Sequence, residues 1–263
     1  MKICVLVKDV PDAAVQKRID PSTMWLDRTG ESTLNPFDTH AVEAAVRFKE
    51  GDDLDVDEVV AVTMGPEGAQ RALQKAVALG ADRSVHLCDD ALAGSDVCAT
   101  GKALAKFLEA ESPDLVLLGQ QSDDGECYTI GAVVAEHLKM PSLTQVVGIE
   151  VDGDKLKCER QAEYGYDTVA LTMPAVISVG DAINEPRYPS LKAIMGAKKK
   201  PVDTKATADV GLDASEVGEA GSKTTVTALN EPPAKEAGEI IEDEDTAETV
   251  DKIVTWLDER KLI

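Results

Sequence analysis

Groups of polar and turn-forming residues follow three short apolar segments, at positions where their side chains could bind a ligand. They are KDVPD at 8–12, MGP at 64–66 and GQQSDDGECYTIG at 119–131. A fourth group, NPFD at 35–38, precedes a helical pattern. Open α/β sheets bind ligands outside the carboxyl ends of their strands, so the sequence predicts a site where these groups meet.

The group at 119–131 has the largest hydrogen-bonding capacity. If a helix begins near Cys127, the free backbone N–H groups of this loop can bind an anion such as phosphate. The amides and hydroxyl of QQS at 120–122 would then contact sugar and base edges. In the alternative interpretation, the acids of DDGE at 123–126 only cap that helix and face water. Acids beside a phosphate repel it, unless they contact ribose hydroxyls or backbone groups instead.

The sequence lacks the motifs of several enzyme classes. The phosphate loop G-x-x-x-x-G-K-[ST] does not occur, and ATGKA at 99–103 lacks its first glycine and its hydroxyl. The motifs G-x-G-x-x-G, G-x-S-x-G, H-E-x-x-H and S-G-G-x-D-S are also missing. The three histidines have no metal-ligand spacing, and the five cysteines form no C-x-x-C pair, so the thiols are expected to be reduced. We therefore predict neither a catalytic residue nor a metal site, and no enzymatic activity of the chain by itself.

The formal net charge of −22 excludes most modes of nucleic-acid binding, because the surface would repel the phosphate backbone. Acidic runs such as DDLDVDE at 52–58 and EDEDTAE at 242–248 are scattered along the chain. This distribution is typical of a halophile, in whose salt-rich cytoplasm self-repulsion is screened. An ordinary acidic cytosolic protein is the alternative. No apolar run approaches the roughly 20 residues of a membrane span, and no signal peptide is evident, so a cytoplasmic location is expected.

Apolar segments at 3–7, 59–64, 84–87, 115–118 and 175–179 have the length and composition of strands. Helical patterns lie between them: one capped by Asp38, one opened by Pro66, and two more at 97–110 and 127–138. This alternation predicts an α/β fold with a mostly parallel open sheet and helices on both faces. The segments VGIEV and KLKCER around DGD at 152–154 predict an added antiparallel hairpin.

The pattern changes after residue 184, so we assign residues 1–185 to an α/β nucleotide-binding domain. Residues 186–201 contain three prolines and a basic cluster, and are predicted to be a partner-recognition loop. Residues 202–263 are poor in large apolar side chains and are predicted to form a C-terminal extended arm. Within it, the stretch at 249–262 offers an apolar side that includes Ile253, Trp256 and Leu257, and we expect the arm to pack on a partner subunit.

Sequence motifs along nearly the whole chain resemble those of the electron transfer flavoprotein β subunit and its nitrogen-fixation-associated homologues. The motifs are VLVKDVPD (5–12), LNPFDTHAVEAAVRFKE (34–50), VVAVTMGP (59–66), ALGADRSVHL (78–87), DLVLLGQQSDDGE (114–126), MPAVISVGDAINEPRYPSLKAIMGAKKKP (173–201) and PPAKEAG (232–238). The resemblance implies a heterodimer with an α subunit that carries flavin. It also implies electron transfer from dehydrogenases to a membrane quinone oxidoreductase or a similar acceptor.

The resemblance further implies that this subunit binds an adenine nucleotide, which is AMP in ordinary members and a second FAD in electron-bifurcating members. The matching pocket residues are Leu6, Asn35, Pro36, Phe37, Asp38, Met64, Gly119, Gln120, Gln121, Ser122, Asp123, Asp124, Gly125, Glu126, Cys127, Tyr128, Thr129 and Ile130. Bifurcating relatives usually show D-G-D-T-A-Q in this loop. Gly125 follows that pattern and would allow close approach of backbone to ligand, whereas Cys127 and Thr129 depart from it. Both AMP and FAD therefore stay open.

The segment EPRYPSLKAIMGAKKK is, by resemblance, the one that contacts dehydrogenases. Its partner-binding residues would be Glu185, Arg187, Tyr188, Leu191 and Ile194, with Leu191 as the apolar anchor. In the alternative interpretation, this loop packs on its own domain.

Two functions of other classes stay open at this point. One is a stand-alone adenine-nucleotide-binding regulatory protein, which would be a colourless homodimer. The other is a nucleotide-dependent enzyme that acts with Mg²⁺ through the acidic loop.

Overall fold

A computed structural model describes residues 1–230, 233, 238, 240 and 245–263. The chain divides into two units, Met1–Val226 and Thr227–Ile263. Of the PPAKEAG motif at 232–238, only Pro233 and Gly238 belong to the described residues.

All strands of the described residues lie in the first unit. In chain order they are β1 (Lys2–Leu6), β2 (Asp9–Pro11), β3 (Ile19–Asp20), β4 (Trp25–Leu26), β5 (Ser32–Leu34), β6 (Glu58–Met64), β7 (Arg83–Leu87), β8 (Leu115–Gly119), β9 (Ser142–Asp152), β10 (Lys155–Ala162), β11 (Gly165–Thr172), β12 (Ala175–Val179) and β13 (Val202–Lys205). The α-helices of the described residues are α1 (Pro36–Glu50), α2 (Gln70–Leu79), α3 (Val97–Glu111), α4 (Ile130–Leu138), α5 (Leu191–Ala197), α6 (Gly218–Gly221) and α7 (Thr246–Glu259).

Within Met1–Val226, one nine-stranded sheet has the order β11-β10-β9-β12-β8-β1-β6-β7-β13. Parallel pairing joins seven of these strands, which are β9, β12, β8, β1, β6, β7 and β13. The strands β10 and β11 add in antiparallel orientation at the β9 edge. The predicted mostly parallel α/β sheet is thereby confirmed. The predicted hairpin is present as β9 and β10, and β11 extends it with a third strand that the sequence patterns did not indicate.

Alternating side chains of the central strands pack on opposite faces of the sheet. Ile3 and Val5 of β1 belong to an apolar cluster with α1 and α2, whereas Cys4 and Leu6 pack with α3 and α4. The strands need apolar residues at successive positions because helices cover both faces. Packing on both faces holds the central strands in place, and with them the strand ends at which the site described below is formed.

The boundary expected at residue 202 differs from the structure. Residues Val202–Lys205 form β13, which pairs in parallel with β7 from Val202 beside Ser84 to Lys205 beside Leu87. Leu212 and Val217 are buried in a small apolar cluster with Leu87, so the chain up to Val226 belongs to the first unit. Pairing with a distant strand supplies the hydrogen bonds that make this short segment extended.

The second unit contains the helix α7, which overlaps the stretch at 249–262 for which the sequence predicts an apolar side within an extended arm. Its apolar side chains Val250, Ile253, Val254 and Trp256 are exposed, and the Arg260 guanidinium lies 4.2 Å from the centre of the Trp256 ring. That this arm packs on a partner subunit stays a prediction. In the part of the chain that the structure describes, no helix is both long and apolar enough to cross a membrane.

Candidate functional site

A cleft of about 250 Å³ lies at the carboxyl ends of β1, β6 and β8, between the starts of α3 and α4. Most of its wall is apolar. Its lining residues are Leu6, Val7, Lys8, Asn35, Asp38, Val62, Met64, Ser95, Asp96, Val97, Thr100, Leu104, Leu118, Gly119, Gln121, Ser122, Cys127, Tyr128 and Ile130. The four polar groups noted in the sequence therefore converge on one cleft.

The structure brings ten of the expected site residues into the cleft wall: Leu6, Asn35, Asp38, Met64, Gly119, Gln121, Ser122, Cys127, Tyr128 and Ile130. The others lie outside that wall: Pro36, Phe37, Gln120, Asp123, Asp124, Gly125, Glu126 and Thr129. Sequence reasoning missed the wall formed by α3, which includes Val97, Thr100 and Leu104. The signal available was Asp96, whose carboxylate caps α3 by accepting a hydrogen bond from Ala99 N over 2.8 Å.

The sequence predicts that Asp38 caps α1, but the structure shows that it does not. The helix begins at Pro36 with Asn35 as its N-cap residue, and Asp38 lies buried in the first turn. Its carboxylate accepts hydrogen bonds from Lys8 N over 2.8 Å and from Gly119 N over 3.0 Å. Burial raises the pKa of Asp38 to about 7, although these two N–H groups oppose the rise. Asp38 thus joins the residues that follow β1 to the end of β8.

Asn35 holds the loop that follows β8. Its Nδ2 donates to Gln121 O over 2.8 Å, and its Oδ1 accepts from Asp123 N over 3.0 Å. The side chain is fully buried, so both of its polar atoms need these partners. Asn35 is therefore both the N-cap residue of α1 and the residue that holds the backbone of the loop after β8.

Gly119 is required by close packing. A Cβ atom at this position would lie 2.6 Å from Asp38 Oδ1 and 2.7 Å from the Cβ of Phe37. The absence of a side chain lets β8 approach the first turn of α1 closely enough for the Asp38 hydrogen bond. Gly125 has more room, with Ser122 Oγ at 3.2 Å from the position of a Cβ.

The expected helix start near Cys127 is wrong, because α4 begins at Ile130. Glu126 and Tyr128 have positive φ angles of 46° and 57°, which a right-handed helix cannot contain. The N–H groups of Gly125 and Glu126 donate to Ser122 O. Free helix N–H groups are therefore those of the first turn of α4, from Ile130 onward, and not those of residues 125–127.

Asp124 does not cap a helix and does not face water. Its side chain is inaccessible to solvent and lies between two cations. Lys8 Nζ donates to its Oδ1 over 2.8 Å, and Arg28 Nη2 lies 2.5 Å from its Oδ2 without pointing an N–H bond at it. Burial alone would raise the pKa of Asp124, but the charges of Lys8 and Arg28 and the hydrogen bonds of Lys8 and Ser122 lower it to about 2. The charge of this acid is thus compensated within the protein.

Gln121 provides a polar atom that suits a ligand. Its Oε1 is buried and has no hydrogen-bond partner among the described residues. A buried amide oxygen without a partner costs free energy, so a ligand that donates a hydrogen bond here would be favoured. The amino group of adenine and the hydroxyls of ribose are donors of this kind. The apolar wall and this acceptor together fit an adenine nucleotide.

The segment expected to contact dehydrogenases presents several of its side chains outward. Ser190 caps the short helix α5, and Tyr188 and Leu191 are 95% and 74% exposed. Arg187, in contrast, is engaged within the chain: its guanidinium forms ion pairs with Glu43 and Glu50 of α1. The backbone of Glu185 accepts a hydrogen bond from Arg47 Nη2 over 2.9 Å. The base of the segment is thus fixed and Ala197 of α5 is buried in the core, whereas Tyr188 and Leu191 are exposed.

A family model described as the electron transfer flavoprotein domain matches residues 23–210. The chain belongs to the electron transfer flavoprotein family. It is similar to the electron transfer flavoprotein subunit beta of Mycobacterium bovis, with 42% identity over 265 residues that cover 99% of each chain. The corresponding subunit of Thermoanaerobacterium thermosaccharolyticum is 40% identical over the full length of both chains. The caffeyl-CoA reductase–Etf complex subunit CarD of Acetobacterium woodii is 37% identical, also over the full length of both.

Membership in the electron transfer flavoprotein family confirms the resemblance drawn from the sequence motifs. The relatives above match the chain from end to end, and two of them carry the name of the β subunit. The chain is therefore an electron transfer flavoprotein β subunit, and a protein of this kind works with an α subunit. The family as a whole binds flavin and AMP.

Proposed function

We propose that this chain accepts electrons from dehydrogenases, together with an α subunit, and passes them to a quinone oxidoreductase or a similar acceptor. In this proposal the cleft binds the adenine nucleotide of the β subunit, either AMP or a second FAD. The observation that carries the proposal is the convergence of an apolar wall and the unpartnered Gln121 Oε1 at the carboxyl ends of the central strands.

Each part of the cleft matches one part of an adenine nucleotide. Leu6, Met64 and Leu104 would pack on the adenine ring, because aromatic rings favour apolar surroundings. Gln121 would accept a hydrogen bond from the amino group or a ribose hydroxyl. The first free N–H groups of α4, at Ile130 and beyond, would donate to phosphate oxygens.

The residues of this chain supply binding and orientation rather than acid–base chemistry. A flavin supplies the electron-transfer chemistry when bound, whereas AMP supplies none. The carboxylates of Asp38 and Asp124 are both held by hydrogen bonds or ion pairs inside the protein. These contacts suit them to fixing the cleft, and no proton transfer is assigned to either.

The segment at 186–201 is the proposed contact with dehydrogenases. Leu191 and Met195 are exposed on α5, and three lysines at 198–200 follow them. An exposed apolar group beside positive charge favours a partner surface with an apolar pocket and acidic residues at its rim. Because one relative is named as a subunit of a caffeyl-CoA reductase–Etf complex, enzymes that act on acyl-CoA thioesters are one class of partner to test.

Co-purification of the chain with its α subunit tests this proposal. Ligands are extracted from the heterodimer and quantified as flavin and AMP per dimer. A flavin ratio near two supports FAD in this subunit, and a ratio near one with one AMP supports the structural nucleotide. A heterodimer with one flavin and no AMP would leave the cleft empty and overturn the proposed site, and a colourless homodimer would favour the regulatory protein instead.

A further inference from the structure

Residues 12–31 form an excursion between β2 and β5 that reaches the loop after β8. The excursion carries a two-stranded ribbon in which Ile19 pairs with Leu26 and Asp20 with Trp25. β2 and β5 pair with one another at its base, so both ends of the excursion are anchored. We call residues 12–31 the strap.

The strap contacts the loop through two cations. Lys17 Nζ lies 2.9 Å from Asp123 Oδ2 and donates to Asp123 O over 2.7 Å. Arg28 Nη2 lies 2.5 Å from Asp124 Oδ2, on the opposite oxygen from the one that Lys8 contacts. Two consecutive acids of the loop are therefore each paired with a cation from the strap, about 100 residues away in sequence.

We propose that the strap is part of the nucleotide site, with Lys17 and Arg28 as positioning residues that hold the loop and neutralise its acids. Neither residue lines the cleft, so neither is expected to contact the adenine nucleotide. This inference rests on the function proposed above, because it requires that the cleft bind a nucleotide. It adds that the strap controls how long the nucleotide stays bound.

Charge provides the physical reason. The loop carries three acids beside a site that would hold phosphate, in a chain with a net charge of −22. Uncompensated, these acids would repel the ligand. Lys8 lies beside only one carboxylate oxygen of the buried Asp124. Arg28 places a second positive charge beside the other oxygen. Removing one partner from a buried pair is costly because the remaining charge cannot reach water.

The loop also needs the strap for its conformation. Ser122 O accepts the N–H groups of Gly125 and Glu126, and Asn35 holds Gln121 and Asp123. These contacts fix the backbone of the loop from the side of α1. The strap fixes the acidic side chains from the other side of the same turn. Release of the nucleotide would therefore be faster when the strap is detached.

The test measures how fast the purified heterodimer releases the nucleotide of the cleft, which is radiolabelled AMP or, where two flavins are bound, the FAD in excess of the one carried by the α subunit. Arg28→Gln should speed release about 10-fold or more, because a buried charge loses a charged partner. Arg28→Lys should restore most of the slow release, since it keeps the charge. Arg18→Gln is the matched control, because Arg18 lies in the strap and contacts Gln16 rather than the loop. It should leave release unchanged.

The exposed pair permits a charge exchange. Lys17→Glu should speed release about 3-fold, and Asp123→Lys in the same chain should bring the rate back towards wild type. Molar salt should reduce the difference between Lys17→Glu and wild type, because it screens this exposed pair. Rescue by exchange and loss of the difference in salt are effects that a merely structural role of the side chains would not produce.

The outcomes separate the two proposals. If the wild-type heterodimer holds no AMP and only the one flavin of its α subunit, the proposed function fails. If the cleft holds AMP or a second FAD, but Arg28→Gln and Lys17→Glu release it at the rate of Arg18→Gln, the role of the strap is overturned. Thermal unfolding shows whether Arg28→Gln folds, and the exposed Lys17–Asp123 exchange decides the question if it does not.

Discussion

Arg187 Nε donates to Glu43 Oε2 over 2.7 Å, across 144 residues of the chain. The same guanidinium contacts both carboxylate oxygens of Glu50, over 2.7 and 2.8 Å. Glu43 also accepts from Arg47 Nε over 2.6 Å and is almost fully buried. This network fixes the base of the segment at 186–201 on α1. Arg187 therefore holds this segment on α1, and its role as a direct partner contact stays a prediction.

Glu43→Gln should weaken both the fold and the docking of a dehydrogenase. Burial raises the pKa of Glu43, but hydrogen bonds from Arg187 and Arg47 outweigh it and lower the pKa overall. Loss of that charge should lower the free energy of unfolding by about 1–3 kcal/mol, measured by urea unfolding. Glu50→Gln is the control, because Glu50 is largely exposed and its pair should contribute less than about 1 kcal/mol. Equal effects of both changes would contradict the dominant role of Glu43.

Leu191→Ala should slow reduction of the heterodimer by a dehydrogenase and leave its nucleotide content unchanged. The side chain is 74% exposed, so its truncation should cost the fold little while removing an apolar anchor from the docking surface. Stopped-flow measurement of flavin reduction provides the readout. Tyr166→Ala, which truncates another exposed apolar side chain on β11, is the control. Unchanged kinetics in Leu191→Ala would remove the docking role.

Asp124 should contribute stability that is lost in acid. Its pKa is about 2 in the folded chain and about 3.8 in the unfolded chain, so the contribution is complete above pH 3.8 and disappears as the pH falls towards 2. The amount is about 2 kcal/mol. Asp124→Asn should therefore lose less stability than wild type between pH 5 and pH 3, as measured by urea unfolding. Parallel curves for the two proteins would contradict this assignment.

The stability contribution of Asp38 should change with pH in the opposite direction to that of Asp124. Its folded pKa of about 7 exceeds the unfolded value of 3.8, so the unfolded chain releases the proton first. Stability from this group should fall as the pH rises from about 4 to 7, by an amount on the order of 4 kcal/mol. Asp38→Asn should lack that decline. The measurement compares the free energies of unfolding of wild type and Asp38→Asn at each pH. A difference between the two proteins that stays constant with pH would refute the prediction.

Gly119→Ala should destabilise the site, because its Cβ would lie 2.6 Å from Asp38 Oδ1. We expect a loss of about 2 kcal/mol or more in unfolding free energy, and weaker retention of nucleotide. Gly196→Ala is the matched control. A Cβ at Gly196 meets nothing within 4 Å, and alanine favours the helix α5 by about 0.5–1 kcal/mol. If Gly119→Ala were as stable as Gly196→Ala, the close approach of β8 to α1 would not matter.

Local patterns in the sequence were sufficient for the main elements. Apolar segments at 3–7 and 115–118 correspond to β1 and β8, which are buried on both faces, and the helical pattern at 97–110 corresponds to α3. Hydrophobic burial of this kind leaves its trace in residue types at neighbouring positions, so it is visible without coordinates. The same patterns also indicated which strand ends would meet.

The start of α4 was not visible in the sequence. Glu126 and Tyr128 adopt left-handed backbone conformations that their residue types do not favour, so the sequence pattern predicts a helix start near Cys127 instead. The strand β13 was missed for a related reason. Four residues carry too little periodicity to mark a strand, and only the pairing with β7 makes them extended.

The sequence by itself determined the family, the α/β class and the strand ends that form the cleft. Only the tertiary structure decided what the acids of the cleft do. Asp38 bonds to Gly119 across 81 residues, and Asn35 to Gln121 across 86. Lys8 and Arg28 neutralise Asp124, for which the sequence alone allows a helix cap or a surface charge as well. The charge and hydrogen bonding of a buried carboxylate depend on groups that are distant in sequence, and no local pattern of residues encodes those distances.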